Sequence, residues 1–250
     1  MNNSVVITQA RLSSTRLPGK VLKSFFKESS ILDLQLKKLR SLGLPYLLAT
    51  TKNALDDSLV EWAKNNKVPY FRGEEHDVLN RFISAAESIK AKNIIRVCSD
   101  NPFIQLDHIE AFLQYLDKGV DYVSFSDSIG IPAILKHWGL FVEAVSLNSL
   151  KAADRILDSS DNFYREHVTN FIYSNPDKFR VKLLPANSKI RNRDDLRFTI
   201  DTQVDFNNMQ RLSQLLNMDK FSSLEELIDL VDSEEEILRE MRKGIEKFDK

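Results

Sequence analysis

Short apolar runs of β type alternate with amphipathic stretches of helical length through the first half of this 250-residue chain. Few folds accept that alternation. A run beginning at Val5 opens it, followed by runs at 46–51 (YLLATT), 68–71, 93–98 (NIIRVC) and 121–125 (DYVSF). Between them, 31–41, 56–66, 76–90 and 107–118 read as helices. Ser29 and Ser30 precede the first helix as candidate caps, with Ile31, Leu32, Leu36 and Leu39 near one face. Strands separated by helices of this length build an α/β domain: a mostly parallel central sheet flanked by helices.

Composition narrows the function. At 42% hydrophobic, the chain can bury one sizeable core. With 35 basic and 36 acidic side chains, net charge is −1, so nothing attracts nucleic acid or an acidic membrane globally and any anion site must be local. One cysteine, Cys98, rules out a disulfide framework and a cysteine zinc cluster. No apolar run approaches the ~20 residues of a membrane span, and no leader-type segment is recognised at the start. Membrane insertion is therefore not expected, and a reduced, cytoplasmic setting is.

The first run breaks into a loop holding Arg11, Ser13, Ser14, Thr15, Arg16, Gly19 and Lys20. Cations and hydroxyls massed directly after a buried strand suggest a polyanion seat, because guanidinium groups grip phosphate oxygens bidentately and lysine adds a point charge. In α/β proteins such seats lie at the carboxyl ends of parallel strands. The loop is not a P-loop, since Val21 follows Lys20 where a hydroxyl residue is required, and it is not the G-x-G-x-x-G dinucleotide turn. The run 93–98 empties into Ser99-Asp100-Asn101-Pro102. Asp100 suits magnesium, which uses one or two protein carboxylates plus phosphates; it equally suits capping a turn before Pro102.

The segment QARLSSTRLPGKVL resembles the opening signature of the sugar-activating cytidylyltransferases, in particular their spore coat polysaccharide synthesis branch. The 3-deoxy-manno-octulosonate and acylneuraminate cytidylyltransferases are relatives of that branch. The resemblance implies the Rossmann-like fold of the nucleotide-diphospho-sugar transferases, the glycosyltransferase A type. It implies transfer of CMP from CTP to a sugar or small-metabolite acceptor with release of pyrophosphate, and Mg2+ as cofactor; apart from the resemblance, a homodimer is the expected assembly. Arg11, Lys20 and Asp100 would then be catalytic, and Arg11, Ser13, Ser14, Arg16 and Lys20 would hold nucleotide. Asp100 matches the family's Gly-Asp-x-Pro segment, with Ser99 replacing glycine. Asp201, in LRFTID-T, matches its second metal-binding acid, with Asp205 as the alternative.

Further matches follow along the chain. The run from Arg72 to Arg81 resembles the family's nucleotide-pocket segment, making both arginines candidate nucleotide contacts. Asp77 and Arg81 also stand four apart, as an ion pair along a helix would. Gly139 to Glu143 resembles a strand whose acid faces the acceptor, and Arg165-Glu166-His167-Val168-Thr169 resembles a family segment. Arg165 is the candidate for an acceptor anion. His167 is a candidate hydrogen-bond donor or base, or a core histidine. Residues 145–157 and 202–218 read as helices, 179–184 and 196–201 as strands, and 188–195 as a charged loop. Domain organisation is expected as 1–220, the nucleotidyltransferase part with acceptor and dimerisation elements within about 126–195, and 221–250, a helical tail starting at Ser222. In that tail Ser233 to Glu236 reads as a capping box, and Ile237, Met241 and Ile245 form a face that packs on the body or on a second subunit.

Overall fold

A computed structural model describes residues 3–221 and 223–248; the expected tail start at Ser222 lies outside them. The strands are β1 (Ser4–Gln9), β2 (Ser24–Phe26), β3 (Ser29–Ser30), β4 (Tyr46–Thr51), β5 (Tyr70–Gly73), β6 (Asn93–Cys98), β7 (Tyr122–Ser126), β8 (Glu143–Ser146) and β9 (Val181–Pro185). The helices are α1 (Ile31–Arg40), α2 (Asp57–Asn65), α3 (Val78–Ser88), α4 (Ile109–Asp117), α5 (Leu147–Ile156), α6 (Asn162–Glu166), α7 (Asn170–Tyr173), α8 (Gln203–Leu215), α9 (Leu224–Ser233) and α10 (Glu235–Lys247).

Seven strands form the central sheet in the order β5-β4-β1-β6-β8-β7-β9, and β2 pairs with β3 apart from it. β8 runs antiparallel to β6 and β7; the other pairings in the sheet are parallel. β1 is buried from Ser4 to Thr8, as a central strand covered on both faces must be. Its neighbours in the sheet are β4 and β6, so the loops after β1 and β6 open side by side. Ser30 caps α1 in a reciprocal box with Asp33, and the face expected inward is buried.

Several local expectations change. Residues 196–200 join no ladder, although they are buried; Phe198 N–H donates to the His137 carbonyl and Ile200 N–H to the Asp100 carbonyl, both at 3.1 Å. Their neighbours are loops, so the run crosses the sheet end instead of extending it. The strand expected at 139–143 begins only at Glu143, and the helix expected from 145 begins at Leu147, because Val145 pairs with Ile94 and Tyr122 and Ser146 caps α5. Gly139, at φ 58°, lets the crossing run pass: a Cβ there would lie 2.7 Å from the Thr199 nitrogen. The stretch containing Arg165 to Thr169 is two short helices, with His167 ending the first.

The tail also differs in detail. Ser233 is the last residue of α9 and its hydroxyl donates to the Leu230 carbonyl, so the expected capping box does not form. Ile237 and Met241 pack on the body, in one apolar cluster with Leu17, Phe25, Phe103, Trp138 and Phe198. The tail thus shares its core with the N-terminal loop.

Candidate active site

The loop after β1 is pinned from beneath. Asp56, fully buried, accepts the Leu12 N–H at 2.7 Å and the Thr51 hydroxyl. Gly19 N–H donates back to the Leu12 carbonyl at 3.2 Å, and Gly19 takes φ 69°, which a side chain would resist. The loop is thereby closed on itself with its cations on the rim. Arg11, Ser13, Ser14, Thr15, Arg16 and Lys20 line a cleft of about 260 Å3 together with Asp100 and Asp201.

The loop after β6 is held by a residue that sequence reasoning passed over. Gln35, buried on α1, donates to the Cys98 and Asn101 carbonyls at 3.0 and 2.9 Å. Its signal was a polar residue between Leu34 and Leu36 on an otherwise apolar helix face. Asp100 stands on the tightened turn. Ser99 is not among the residues with positive φ, so the exchange of the family's glycine costs no backbone strain here.

Lys20 joins the two acids. Its Nζ lies 2.9 Å from Asp100 Oδ2 and 3.6 Å from Asp201 Oδ1, and it also donates to the Ile200 carbonyl. Burial alone would lower the Lys20 ammonium, but Asp100 and Asp201 outweigh it and its pKa lies above the ordinary value. Asp201 shows the converse: burial would raise its carboxyl, yet Lys20, Arg197 and Arg16 hold it below the usual range. Arg16 reaches Asp201 at 2.9 Å from the cleft side. Arg197, also missed in the sequence, reaches it at 2.6 Å from the buried side. Phe248 of the tail lies against both guanidinium groups.

The carboxylates of Asp100 and Asp201 converge on one cation, so two hard oxygen donors meet in the cleft. Among the described residues no group of three or more metal-binding side chains gathers. That donor set fits magnesium, which keeps most of its shell in water and phosphate oxygens. Asp205 accepts the N–H groups of Asp201 and Thr202 and pairs with Arg197; it does not line the cleft.

Arg72 and Arg81, the expected nucleotide contacts, do not line the cleft, and neither does Arg165, the candidate for an acceptor anion. Arg72 donates to the Thr51 and Asn53 carbonyls and pairs with Asp57. Arg81 is 1% exposed and donates to the Glu74 and Glu75 carbonyls, bracing the turn after β5. Arg165 pairs with Asp77 at 2.8 Å and Asp154 at 3.0 Å, which also replaces the expected Asp77–Arg81 pair. In each case the guanidinium satisfies backbone carbonyls or acids of its own neighbourhood. Glu143 is 2% exposed and faces inward, held by Arg96, Tyr122 and Thr169. His167 lines a separate cavity of about 450 Å3 with Arg96, Phe163 and Tyr173.

Comparison with known proteins agrees with this architecture. Residues 5–237 match the cytidylyltransferase family. The spore coat polysaccharide biosynthesis protein SpsF of Bacillus subtilis is 33% identical over 238 residues, covering 92% of this chain and 95% of that protein. A cytidylyltransferase structure from Leptospira borgpetersenii superposes with a TM-score of 0.78 at 26% identity, covering 94% of this chain and 96% of the other. CMP:2-keto-3-deoxy-manno-octonic acid synthetase complexed with CTP shares the fold, with a TM-score of 0.61 at 14% identity over 86% of this chain and 99% of the other. The parallel sheet, the cationic loop after its first strand and the match over most of its length together make this chain a member of the cytidylyltransferase family, a nucleotidyltransferase on the nucleotide-diphospho-sugar transferase fold.

Proposed function

We propose that the cleft transfers CMP from CTP to an oxygen of a sugar acid, sugar phosphate or related acceptor. The observation that carries this reading is the meeting of Arg11, Arg16 and Lys20 with Asp100 and Asp201 in one cleft. Attack of the acceptor oxygen on the α-phosphorus breaks the bond to the β-phosphate and expels pyrophosphate. Charge builds on that leaving group, and fixed cations placed to meet it lower the barrier. Arg11 and Arg16 on the rim hold the triphosphate. Lys20, fixed between the acids, shifts its donors toward the phosphate oxygens, while Ser13 and Ser14 offer hydroxyls along the same wall. Magnesium held by Asp100 and Asp201 would neutralise phosphate charge there. Arg197 and Gln35 keep the two acids in place.

The name of the SpsF relative supports a role in surface polysaccharide or glycoconjugate synthesis. A cytoplasmic homodimer belongs to the same reading. The testing experiment is pyrophosphate release with magnesium, each of the four nucleoside triphosphates and a panel of sugar acids and sugar phosphates. Release with CTP and one acceptor is expected. Release with a different triphosphate alone would overturn the choice of CTP.

A further inference from the structure

The tail reaches the cleft along one face of α10. Ile237, Met241, Gly244 and Phe248 follow one another at steps of three or four residues, so they stand on the same side of the helix. Ile237 and Met241 are buried in the shared core. Phe248 ends the helix, its N–H donating to the Gly244 carbonyl at 3.2 Å. Glycine inside a helix is unfavourable, and a close approach explains this one. A Cβ at Gly244 would lie 3.1 Å from Arg197 Cδ and 3.2 Å from its Nε. Arg197 has no room to yield: its side chain is fully buried and tied to Asp201 at 2.6 Å and Asp205 at 3.1 Å. Gly244 therefore lets the helix lie directly on the arginine that holds Asp201.

This approach delivers the Phe248 ring to two guanidinium groups. The Cζ of Arg16 lies 4.6 Å from the ring centroid and that of Arg197 5.6 Å, both within cation–π range. The same two arginines divide Asp201 between them, Arg16 Nη2 at 2.9 Å from Oδ1 and Arg197 Nη2 at 2.6 Å from Oδ2. They differ in how firmly the rest of the fold holds them. Arg197 is locked by burial, whereas the Arg16 side chain is 44% exposed on the rim of the cleft. A long arginine at such a place loses much rotamer freedom when a ligand fixes it. The ring takes up part of that loss in advance, and preorganised donors bind more tightly for that reason. Gly244 and Phe248 both lie beyond residue 237, where the match to the cytidylyltransferase family ends.

We infer that Phe248 is a positioning residue for the phosphate seat: α10 presents its ring to Arg16 and fixes that guanidinium in the cleft before a polyphosphate arrives. The inference rests on Arg16 being a phosphate contact of the proposed transfer site. Its test reads phosphate binding alone, so failure of the transfer reading shows separately, as absent pyrophosphate release. The probe is inorganic tripolyphosphate, followed by calorimetry with the full-length protein. Phe248→Leu keeps an apolar side chain but removes the aromatic face, and it is expected to weaken the probe about threefold, the effect of one partly exposed cation–π contact. Phe248→Tyr keeps the ring and should stay within about 1.5-fold of the wild type. In an Arg16→Leu background, Phe248→Leu should cost less than about 1.5-fold, because the two residues act as one unit. A general packing role would lose the same factor in both backgrounds. The proposal is overturned by wild-type affinity in Phe248→Leu, by an equal loss in Phe248→Tyr, by an equal loss with and without Arg16, or by a wild-type protein that does not bind tripolyphosphate.

Discussion

The cleft after β1 and β6 and the cavity beside β8 handle charge in opposite ways. In the cleft, Arg11 and Arg16 stand on a partly open rim, their side chains 39% and 44% exposed; Arg11 faces Glu75 and Glu166, and Arg16 faces Asp201, which also touches Lys20. In the cavity, one arginine is buried, matched by one acid and surrounded by apolar walls. The cleft can take up several negative charges because its cations remain in reach of water and of one another's partners. The cavity offers one buried guanidinium, held in place by Glu143. The first arrangement favours binding strength toward anions, the second a fixed local geometry.

The comparison breaks most sharply at Lys20. Lys20→Ala should lower turnover at least about a hundredfold with the fold retained, since a clamp on developing phosphate charge is worth ~3 kcal/mol. Pyrophosphate release and circular dichroism check this, and a rate near wild type would remove the phosphate seat from Lys20. Gln35→Leu should cost less, about tenfold in turnover, by leaving the Cys98 and Asn101 carbonyls unpaired and loosening the turn under Asp100. Pyrophosphate release checks this, and an unchanged rate would mean that Gln35 does not position Asp100.

A pH series sharpens the contrast further. Asp201 and Asp205 titrate below the usual carboxylate range: burial opposes this, and the cations at each acid outweigh it. A depressed folded pKa stabilises the protein above the unfolded value of about 4 and loses that contribution as pH falls through the folded value. Lys20→Met removes one of Asp201's cations. Its acid-side loss of stability should therefore begin at a higher pH than in the wild type, as read by urea midpoints across pH 2–5, roughly the carboxylate range. An unchanged acid limb would mean that Lys20 contributes nothing to Asp201. The smallest effect is expected at Arg72→Gln, which should leave the KM for CTP within about twofold, because a residue outside the cleft contributes no clamp. A tenfold rise would return Arg72 to the nucleotide site.

Much of the sheet and the cleft was legible from local pattern. NIIRVC is β6 as expected, Ser30 caps α1, and the loop from Arg11 to Lys20 lies at a parallel strand's carboxyl end beside Asp100. These features depend on period, turn residues and charge within a short window, and such windows survive folding. The arginines were harder. Arg11 and Arg72 carry the same group in equally polar segments, yet one faces the cleft and the other closes the β4–β5 connection. Which carbonyls lie within reach of a guanidinium depends on strand neighbours far away in sequence.

By itself, the sequence determined that strands and helices alternate, that Arg11, Arg16 and Lys20 stand close together after the first strand, and that two acids follow buried runs. Periodicity and composition settle such matters because they act through neighbouring residues. Only the tertiary structure decided that Lys20 joins Asp100 to Asp201 from distant segments of the chain, that Gln35 tightens the turn after β6, and that the tail closes on Arg16 and Arg197. It also decided that Arg96, lost within an apolar strand, pairs with Glu143 on the neighbouring strand beside a cavity. Those are contacts between segments brought together by burial of a shared core, and no local pattern encodes which segments will meet.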